Sequence, residues 1–241
     1  MPPKKKPQKP DRAPNLLHGG NKSHTCPRCD ASRSKKGTGT GGKLLHSIPE
    51  VADSAQLRNV LVAIDRNLRQ DRDLVGNTKA SFMMGVLEAK VAGREYFLVA
   101  SSGWDRDRET AWIQDKHLGG ISYRKGRWET VTPKVPATHT GWWTIRGEKV
   151  DLDSKVANVQ MACAAVKLLL GLGEKTKDRE WKAVEYLRMS EMVFVGPDTN
   201  DPKMRKWHGQ GATSSWTAHS CDACQARIPY LICDVPANQI S

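Results

Sequence analysis

The sequence predicts an α/β protein in which helices pack on both faces of one mixed sheet. Segments with helical hydrophobic spacing alternate along the chain with short apolar runs that are typical of buried strands. Together they follow the order helix, two strands, helix, strand, helix. We therefore expect a three-layer α-β-α sandwich around a mixed central sheet of about five strands.

The first elements predicted are a helix and a β-hairpin. The runs SFMMGVLEAKVAG and REYFLVASSG are typical of two strands, joined by a turn at Gly93 and Arg94. Before them, apolar side chains recur at helical spacing after Ile48, namely at Val51, Leu57, Val60, Leu61, Ile64 and Leu68.

Three helices and a strand are predicted in the second half of the chain. The first helix covers roughly residues 153–172 and is ended by the glycines of GLGEK. DREWKAVEYLRM predicts a second helix, and EMVFVG predicts a short buried strand that stops at Gly196 and Pro197. A last helix is expected to open at Cys221 in CDACQARIPYLI, with a terminal strand as a candidate after it.

Charge divides the chain into a basic leader and a nearly balanced body. Residues 1–43 hold eleven Lys and Arg against two Asp, so they carry +9 of the formal net charge of +12. Such a leader attracts nucleic acid without reading its sequence, although a solvated Lys/Pro segment has the same composition. We expect one folded domain over residues 44–241, with a tryptophan-rich insertion at 103–150.

Composition excludes several classes of protein. No apolar run approaches the length of a bilayer span, so no membrane partner is expected. No apolar stretch follows the basic N-terminus, so a secretory signal peptide is not expected either. Six cysteines are too few for a disulfide-dense secreted scaffold and favour metal or redox chemistry. The site of action is therefore expected to be cytoplasmic.

Three thiols that are far apart in sequence are the first candidate metal ligands. Cys163 lies in the apolar helix MACAAVKLL, and Cys221 and Cys224 form a Cys-x-x-Cys pair at the start of the last helix. A catalytic zinc ion takes three protein ligands and a water, and a helix N-terminus stabilises thiolates. Cys163 on its own is more simply a small core residue. Together with the pair, and with a strand between them, it favours a zinc site.

This arrangement resembles the cytidine deaminase superfamily, in which two strands, a helix opening with His/Cys-Ala-Glu, a strand, and a helix opening with Cys-x-x-Cys follow one another. The resemblance covers residues 48 to about 235 and implies that Cys163, Cys221 and Cys224 hold Zn²⁺. It also implies a hydrolytic conversion of cytosine to uracil, in which the family's glutamate moves protons between zinc-bound water and the base. Ala165 stands at the position of that glutamate.

The chain departs from the family pattern in three respects. Ser220 replaces the usual proline before the cysteine pair, the gap from Cys163 to Cys221 is long, and Ala165 cannot move a proton. General acid–base catalysis contributes roughly 10²–10⁴-fold, so the chain as written is expected to be nearly inactive. An active deaminase with an introduced Glu-to-Ala change is the favoured interpretation, and a natural pseudoenzyme that keeps zinc for structure is the alternative.

Nucleic acid, DNA or RNA, is the predicted substrate. Bacterial polymorphic toxins carry deaminase domains of this type, which implies delivery to a target cell as an effector and an immunity protein as a partner. A cysteine as first ligand instead resembles free-nucleoside deaminases. Aromatic side chains near positive charge suit unstacked bases, although packing in the core is the alternative role for the tryptophans. The candidate base-contacting residues are Trp104, Trp142, Trp143, Trp216 and His219.

A second, structural zinc site is predicted around SHTCPRCD, with His24, Cys26 and Cys29 as candidate ligands. A loose surface pair of thiols is the alternative. Cys233 enters a different hypothesis, a C-terminal zinc clip with His219, Cys221 and Cys224. The non-enzymatic alternative for the whole chain is a zinc-stabilised nucleic-acid-binding module.

Overall fold

The computed structural model describes residues 26–29, 51–77, 79–103, 110–123, 126–153, 163–177, 184–198, 218 and 222–240. The helices are α1 (Ala55–Leu68), α2 (Arg72–Val75), α3 (Ala164–Thr176) and α4 (Asp222–Leu231). The strands are β1 (Ser81–Val91), β2 (Arg94–Ser101), β3 (Glu129–Thr130), β4 (Trp142–Trp143), β5 (Lys149–Val150) and β6 (Val184–Val195). Short 3₁₀ turns cover Asp115–Leu118 and Ala237–Gln239.

Four strands form the main sheet in the order β3-β2-β1-β6. β1 runs antiparallel to both β2 and β6, whereas β3 lies parallel to β2. β4 and β5 form a separate antiparallel pair. The predicted mixed α/β fold is therefore confirmed, and the described residues supply four strands of a main sheet that was expected to have about five.

Each face of the main sheet has its own apolar cluster, because successive side chains of a strand point to opposite faces. Met84 and Val86 of β1 join the cluster formed by α1. Leu87 and Ala89, which point the other way, join the cluster formed by α3 and α4. Helices thus cover both faces, and α3 and α4 also pack against each other.

The first helix and the hairpin are confirmed with small shifts. α1 buries Leu57, Val60, Leu61, Ile64 and Leu68, as the helical spacing predicts. The β1–β2 turn consists of Ala92 and Gly93, with φ angles of 52° and 76°. Two consecutive residues with positive φ give a turn whose twist matches that of the paired strands. The turn therefore forms at Ala92 and Gly93, one residue earlier than expected.

The predicted end of the helix at residues 153–172, which corresponds to α3, is wrong. α3 continues through GLGEK to Thr176, because its glycines allow close packing and do not end the helix. A Cβ atom on Gly173 would lie 2.3 Å from the carbonyl oxygen of Thr144, and one on Gly171 would lie 2.8 Å from the Cβ of Val131. Only residues without a side chain let the helix approach these neighbours so closely.

The prediction of a helix at DREWKAVEYLRM is also wrong over residues 184–189, because these residues form the first half of β6. Val184 pairs with Val91 and Tyr186 with Lys90, so a bulge inserts one extra residue here. The buried residues Val184 and Leu187 are therefore three apart, a spacing that imitates a helix. The candidate terminal strand is not formed, since residues 232–236 are irregular and lead into the last 3₁₀ turn.

Residues 103–150 contribute to the sheet as well as covering it. β3 extends the main sheet beyond β2, and Trp128 packs edge-on against Phe97 at a centroid distance of 5.4 Å. Trp112 stacks on Phe82 at 5.0 Å. Across the described residues, every helix is too short or too polar to cross a bilayer.

Candidate metal centres

Three cysteines converge where residues 26–29 meet the chain that follows α4. The sulfur atoms of Cys26, Cys29 and Cys233 all lie within 4.8 Å of one another. Cys26 and Cys233 are fully buried, and Cys29 is 9% exposed. We refer to these three residues as the three-thiol cluster. Its geometry suits the binding of one metal ion by thiolates.

The three-thiol cluster is built from a tight turn and a helix end. Residues 27–29 form the turn, and the backbone N–H of Arg28 donates to Cys26 Sγ at 3.4 Å. Pro27 restricts its own φ angle and so favours this turn. Cys233 follows α4 by two residues, and its backbone N–H donates to the Tyr230 carbonyl at 3.4 Å. Local structure on both sides therefore presents the sulfurs to one another.

Arg28 connects the three-thiol cluster to two other segments. Its guanidinium donates to Cys233 Sγ at 3.2 Å, to the Val235 carbonyl at 2.6 Å and to Glu148 Oε2 at 2.6 Å. Burial alone lowers the pKa of Arg28, but its hydrogen bonds to Cys233 and Glu148 raise that pKa above its ordinary value. The side chain is thus a permanent cation in contact with one of the three sulfurs.

The second thiol region lies at the start of α3. Cys163 is the N-cap residue of this helix, and its carbonyl accepts from the Lys167 N–H at 3.1 Å. Cys224 lies near the start of α4 and is 2% exposed within the apolar cluster that α3 and α4 share. Cys163 packs against the same cluster. Cys221, the third predicted ligand, lies outside the described residues.

Ala165 lies in the first turn of α3 and is completely buried. Its N–H donates to Glu191 Oε1 at 3.1 Å, and Glu191 itself is 3% exposed. A carboxylate at this position is stabilised by the positive end of the helix dipole. The sequence analysis missed Glu191, although an acid inside the apolar strand EMVFV was a signal that could have identified it.

Lys167, one turn after Cys163, is a second charged residue that the sequence analysis missed. Its Nζ atom donates to the carbonyls of Ser101 at 2.9 Å and Gly103 at 2.7 Å. Burial lowers the pKa of Lys167, and the nearby Cys163 partly opposes that shift. The start of α3 therefore carries the Cys163 thiol and the buried Lys167 amine, and its first turn is contacted by the buried Glu191 carboxylate of β6.

The chain matches no family model, no curated protein and no solved structure. Both thiol regions are therefore interpreted from their own residues and geometry.

The predicted base-contacting residues have different surroundings. Trp142 is completely buried, and its indole N–H donates to the Thr138 carbonyl at 2.7 Å, which favours its alternative role in the core. Trp143 is half-buried, with Lys149 Nζ 5.6 Å from its ring centre. Trp104, Trp216 and His219 lie outside the described residues.

The predicted second zinc site gains a ligand from an unexpected part of the chain. Within the described residues, Cys233 groups with Cys26 and Cys29, whereas Cys224 belongs to another cluster. This placement gives no support to the alternative C-terminal clip. His24 lies outside the described residues. His117 is buried, with 3% of the residue exposed and its Nε2 atom 2.7 Å from Asp71 Oδ2.

Proposed function

We propose that this chain is a zinc-dependent deaminase of cytosine in nucleic acid, present with Ala165 in place of its proton-carrying glutamate. The observation that carries the proposal is the placement of Cys163 at the N-terminus of α3, in contact with the apolar cluster that contains Cys224 of α4. The order β1, β2, α3, β6, α4 is also the order that the cytidine deaminase resemblance implies.

Cys163, Cys221 and Cys224 are the residues that would hold zinc, which supplies a Lewis acid able to make a bound water acidic near neutral pH. The N-terminus of α3 favours the thiolate form of Cys163 because the helix dipole is positive there. The Lys167 amine lies one turn along the helix, where its protonated form is attracted to the Cys163 thiolate although burial lowers its pKa. The methyl group of Ala165 cannot accept or donate a proton, so the deamination step has no acid–base partner at this position.

Glu191 has a positioning role in this proposal. Its carboxylate accepts the N–H of Ala165 and so fixes the first turn of α3, from which Cys163 projects. The cytidine deaminase resemblance places the proton-carrying glutamate at position 165, whereas the Glu191 carboxylate holds the backbone of that position. We therefore assign the missing acid–base function to position 165 and not to Glu191.

Nucleic acid is the proposed substrate because the chain has both a strongly basic segment and an aromatic side chain beside a cation. Residues 1–43 carry +9, which favours binding to phosphates. Trp143 is half-buried beside Lys149, an arrangement in which a base can stack near a cation. The choice of cytosine comes from the family resemblance alone.

The test is to express Ala165→Glu and the unchanged chain in the same cells and to sequence DNA and RNA. Ala165→Glu is expected to raise C-to-T or C-to-U changes by at least roughly 10²-fold, which is the usual contribution of general acid–base catalysis. Ala165→Gln is the matched control, because glutamine has the same size as glutamate and cannot carry the proton.

Folded, metal-loaded Ala165→Glu protein that deaminates no nucleic acid and no nucleoside would refute the deaminase proposal. Activity on free cytidine with none on polymers would confirm the deamination reaction but show that the substrate is a free nucleoside and not nucleic acid. A-to-G or A-to-I changes would show that the target base is adenine and not cytosine.

A second function, nucleic-acid binding without catalysis, is favoured by one observation. The Ala165 side chain is fully buried in the apolar cluster, where alanine packs without strain. In that case the Ala165→Glu variant stays inactive, while binding to DNA or RNA depends steeply on salt. Replacing Lys4, Lys5, Lys6 and Lys9 with glutamine then lowers the salt slope, because each lost phosphate contact removes about one unit.

A further inference from the structure

We propose that the three-thiol cluster is a structural zinc site that fastens residues 26–29 to the chain segment after α4. It shares no residue with the site of the proposed deamination, and it holds whether or not the chain descends from an active enzyme. The function of this site is to join two parts of the chain that are about 200 residues apart, as the 205-residue separation between Arg28 and Cys233 shows.

The ligand set and its burial favour zinc in a structural role. Thiolates are soft ligands, which select zinc over magnesium or calcium. Two zinc–sulfur bonds of about 2.3 Å at a tetrahedral angle place the sulfurs about 3.8 Å apart. The three sulfurs, all within 4.8 Å of one another, are close to that spacing. Their near-complete burial restricts access to the ion, as in sites that support structure.

The surroundings of the sulfurs suit thiolates. Three thiolates and one Zn²⁺ carry a net charge of −1, which the Arg28 guanidinium offsets through its contact with Cys233 Sγ at 3.2 Å. The backbone N–H of Arg28 also donates to Cys26 Sγ. Donors to ligating groups of this kind orient them and adjust their basicity. One contact suits the thiol form instead, since Cys26 Sγ lies 3.9 Å from the Pro229 carbonyl oxygen, and binding of metal would give up this long interaction.

A disulfide is the main chemical alternative. It would use two of the three sulfurs and leave the third buried beside them, with the same Arg28 donors around it. The Cys-x-x-Cys spacing in a protein poor in cysteine also favours metal binding over a structural disulfide. A disulfide lowers the protein mass by about 2 Da, so the two states are separable by mass.

The test is to count zinc in the full chain by native mass spectrometry, beside Cys233→Ser, Cys26→Ser and Cys163→Ser variants purified identically. Cys233→Ser and Cys26→Ser are each expected to lose one equivalent of zinc, whereas Cys163→Ser, the matched control, keeps that equivalent. If the proposed deaminase site also binds zinc, the unchanged chain carries two equivalents and Cys163→Ser loses the other one. One equivalent that disappears only in Cys233→Ser and Cys26→Ser supports this inference and counts against the deaminase site.

An unchanged zinc content in Cys233→Ser would overturn the inference, as would a disulfide within the three-thiol cluster of the unchanged chain. If the Cys233 variant fails to fold, the Cys163→Ser protein still provides the answer. X-ray absorption of its remaining zinc is expected to show at least three sulfur neighbours. Fewer than three, or no bound zinc at all, would overturn the proposal.

Discussion

The two thiol regions of this molecule differ in what surrounds their sulfur atoms. In the three-thiol cluster, the sulfurs lie together and Arg28 donates both a backbone N–H and a guanidinium to them. At the start of α3, Cys163 is half-buried at a helix end and Cys224 is buried in a neighbouring helix. The first arrangement is buried and charge-compensated, whereas the second leaves one sulfur at the edge of the core.

In the two proposals above, this difference separates a metal ion that would support structure from one that would support chemistry. Structural zinc sites close around the ion, whereas catalytic sites keep one position for water or substrate. The buried acid near Cys163 is used to hold a helix end, and the residue at which a proton carrier is expected is an alanine. We therefore expect the three-thiol cluster to determine stability and the α3 site to determine activity.

The largest expected effect tests that separation directly. In the Ala165→Glu background, Cys163→Ser is expected to lower deamination at least about 100-fold, since even changes around metal ligands cost 10–100-fold. Cys233→Ser in the same background is expected to lower the thermal midpoint instead. Deamination rates per folded molecule, measured beside melting curves, check both. A larger loss of activity from Cys233→Ser than from Cys163→Ser would reverse the assignment.

Removing Arg28 is the next largest perturbation. Arg28→Ala is expected to destabilise the fold by about 3 kcal/mol, because it leaves Glu148 and the Cys233 sulfur without their buried cation. Lys175→Ala, which removes a more exposed pair with Glu129, is the control and should cost less than about 1 kcal/mol. Urea unfolding at fixed zinc concentration measures both. Equal losses would mean that the cation at the three-thiol cluster contributes no more than a surface pair.

A glycine on α3 gives an intermediate effect. Gly173→Ala is expected to cost about 1–3 kcal/mol, since its new Cβ would lie 2.3 Å from a backbone oxygen that cannot move freely. Gly76→Ala is the matched control, because its Cβ would meet its nearest atom at an ordinary 3.6 Å. Thermal or urea unfolding of the two variants provides the comparison. A neutral Gly173→Ala would show that α3 can shift away from Thr144.

The smallest effect concerns the acid at the start of α3. Glu191→Gln keeps an acceptor for the Ala165 N–H and removes the negative charge, so a loss of about 0.3–1 kcal/mol is expected. Glu191→Ala should cost more, about 1–3 kcal/mol, because it leaves that N–H without its acceptor. Urea unfolding of both variants tests the order. Equal losses from the two variants would show that the charge, and not the hydrogen bond, holds the helix end.

The sequence predicts local features of this fold better than features that depend on distant neighbours. α1 and the β1–β2 hairpin follow from spacing and from strand-like runs, which need no tertiary information. The predicted end of α3 is wrong because Gly173 serves close packing against Thr144, a residue from a different segment, and does not end the helix. The start of β6 was wrong because a bulge against β1 gave Val184 and Leu187 a helix-like spacing.

The candidate sites divide in the same way. Cys26 and Cys29 were identified from their spacing, but their partner Cys233 was assigned to a different group of thiols. Spacing cannot identify a ligand that lies about 200 residues away, because only the fold decides which chain segment follows α4 to that point. The acid in the apolar run EMVFV marks Glu191 in the sequence, but its role depends on the approach of β6 to the N-terminus of α3.

The pairing of Cys26 and Cys29 with Cys233 also limits the order of events during synthesis. The turn at residues 26–29 is translated about 200 residues before Cys233, whose sulfur completes the three-thiol cluster. Until Cys233 has been made, Cys26 and Cys29 lack their third partner, and these two thiols are open to oxidation or to binding a metal ion without it. The turn at residues 26–29 thus reaches its final state only after the chain segment that follows α4 has been made.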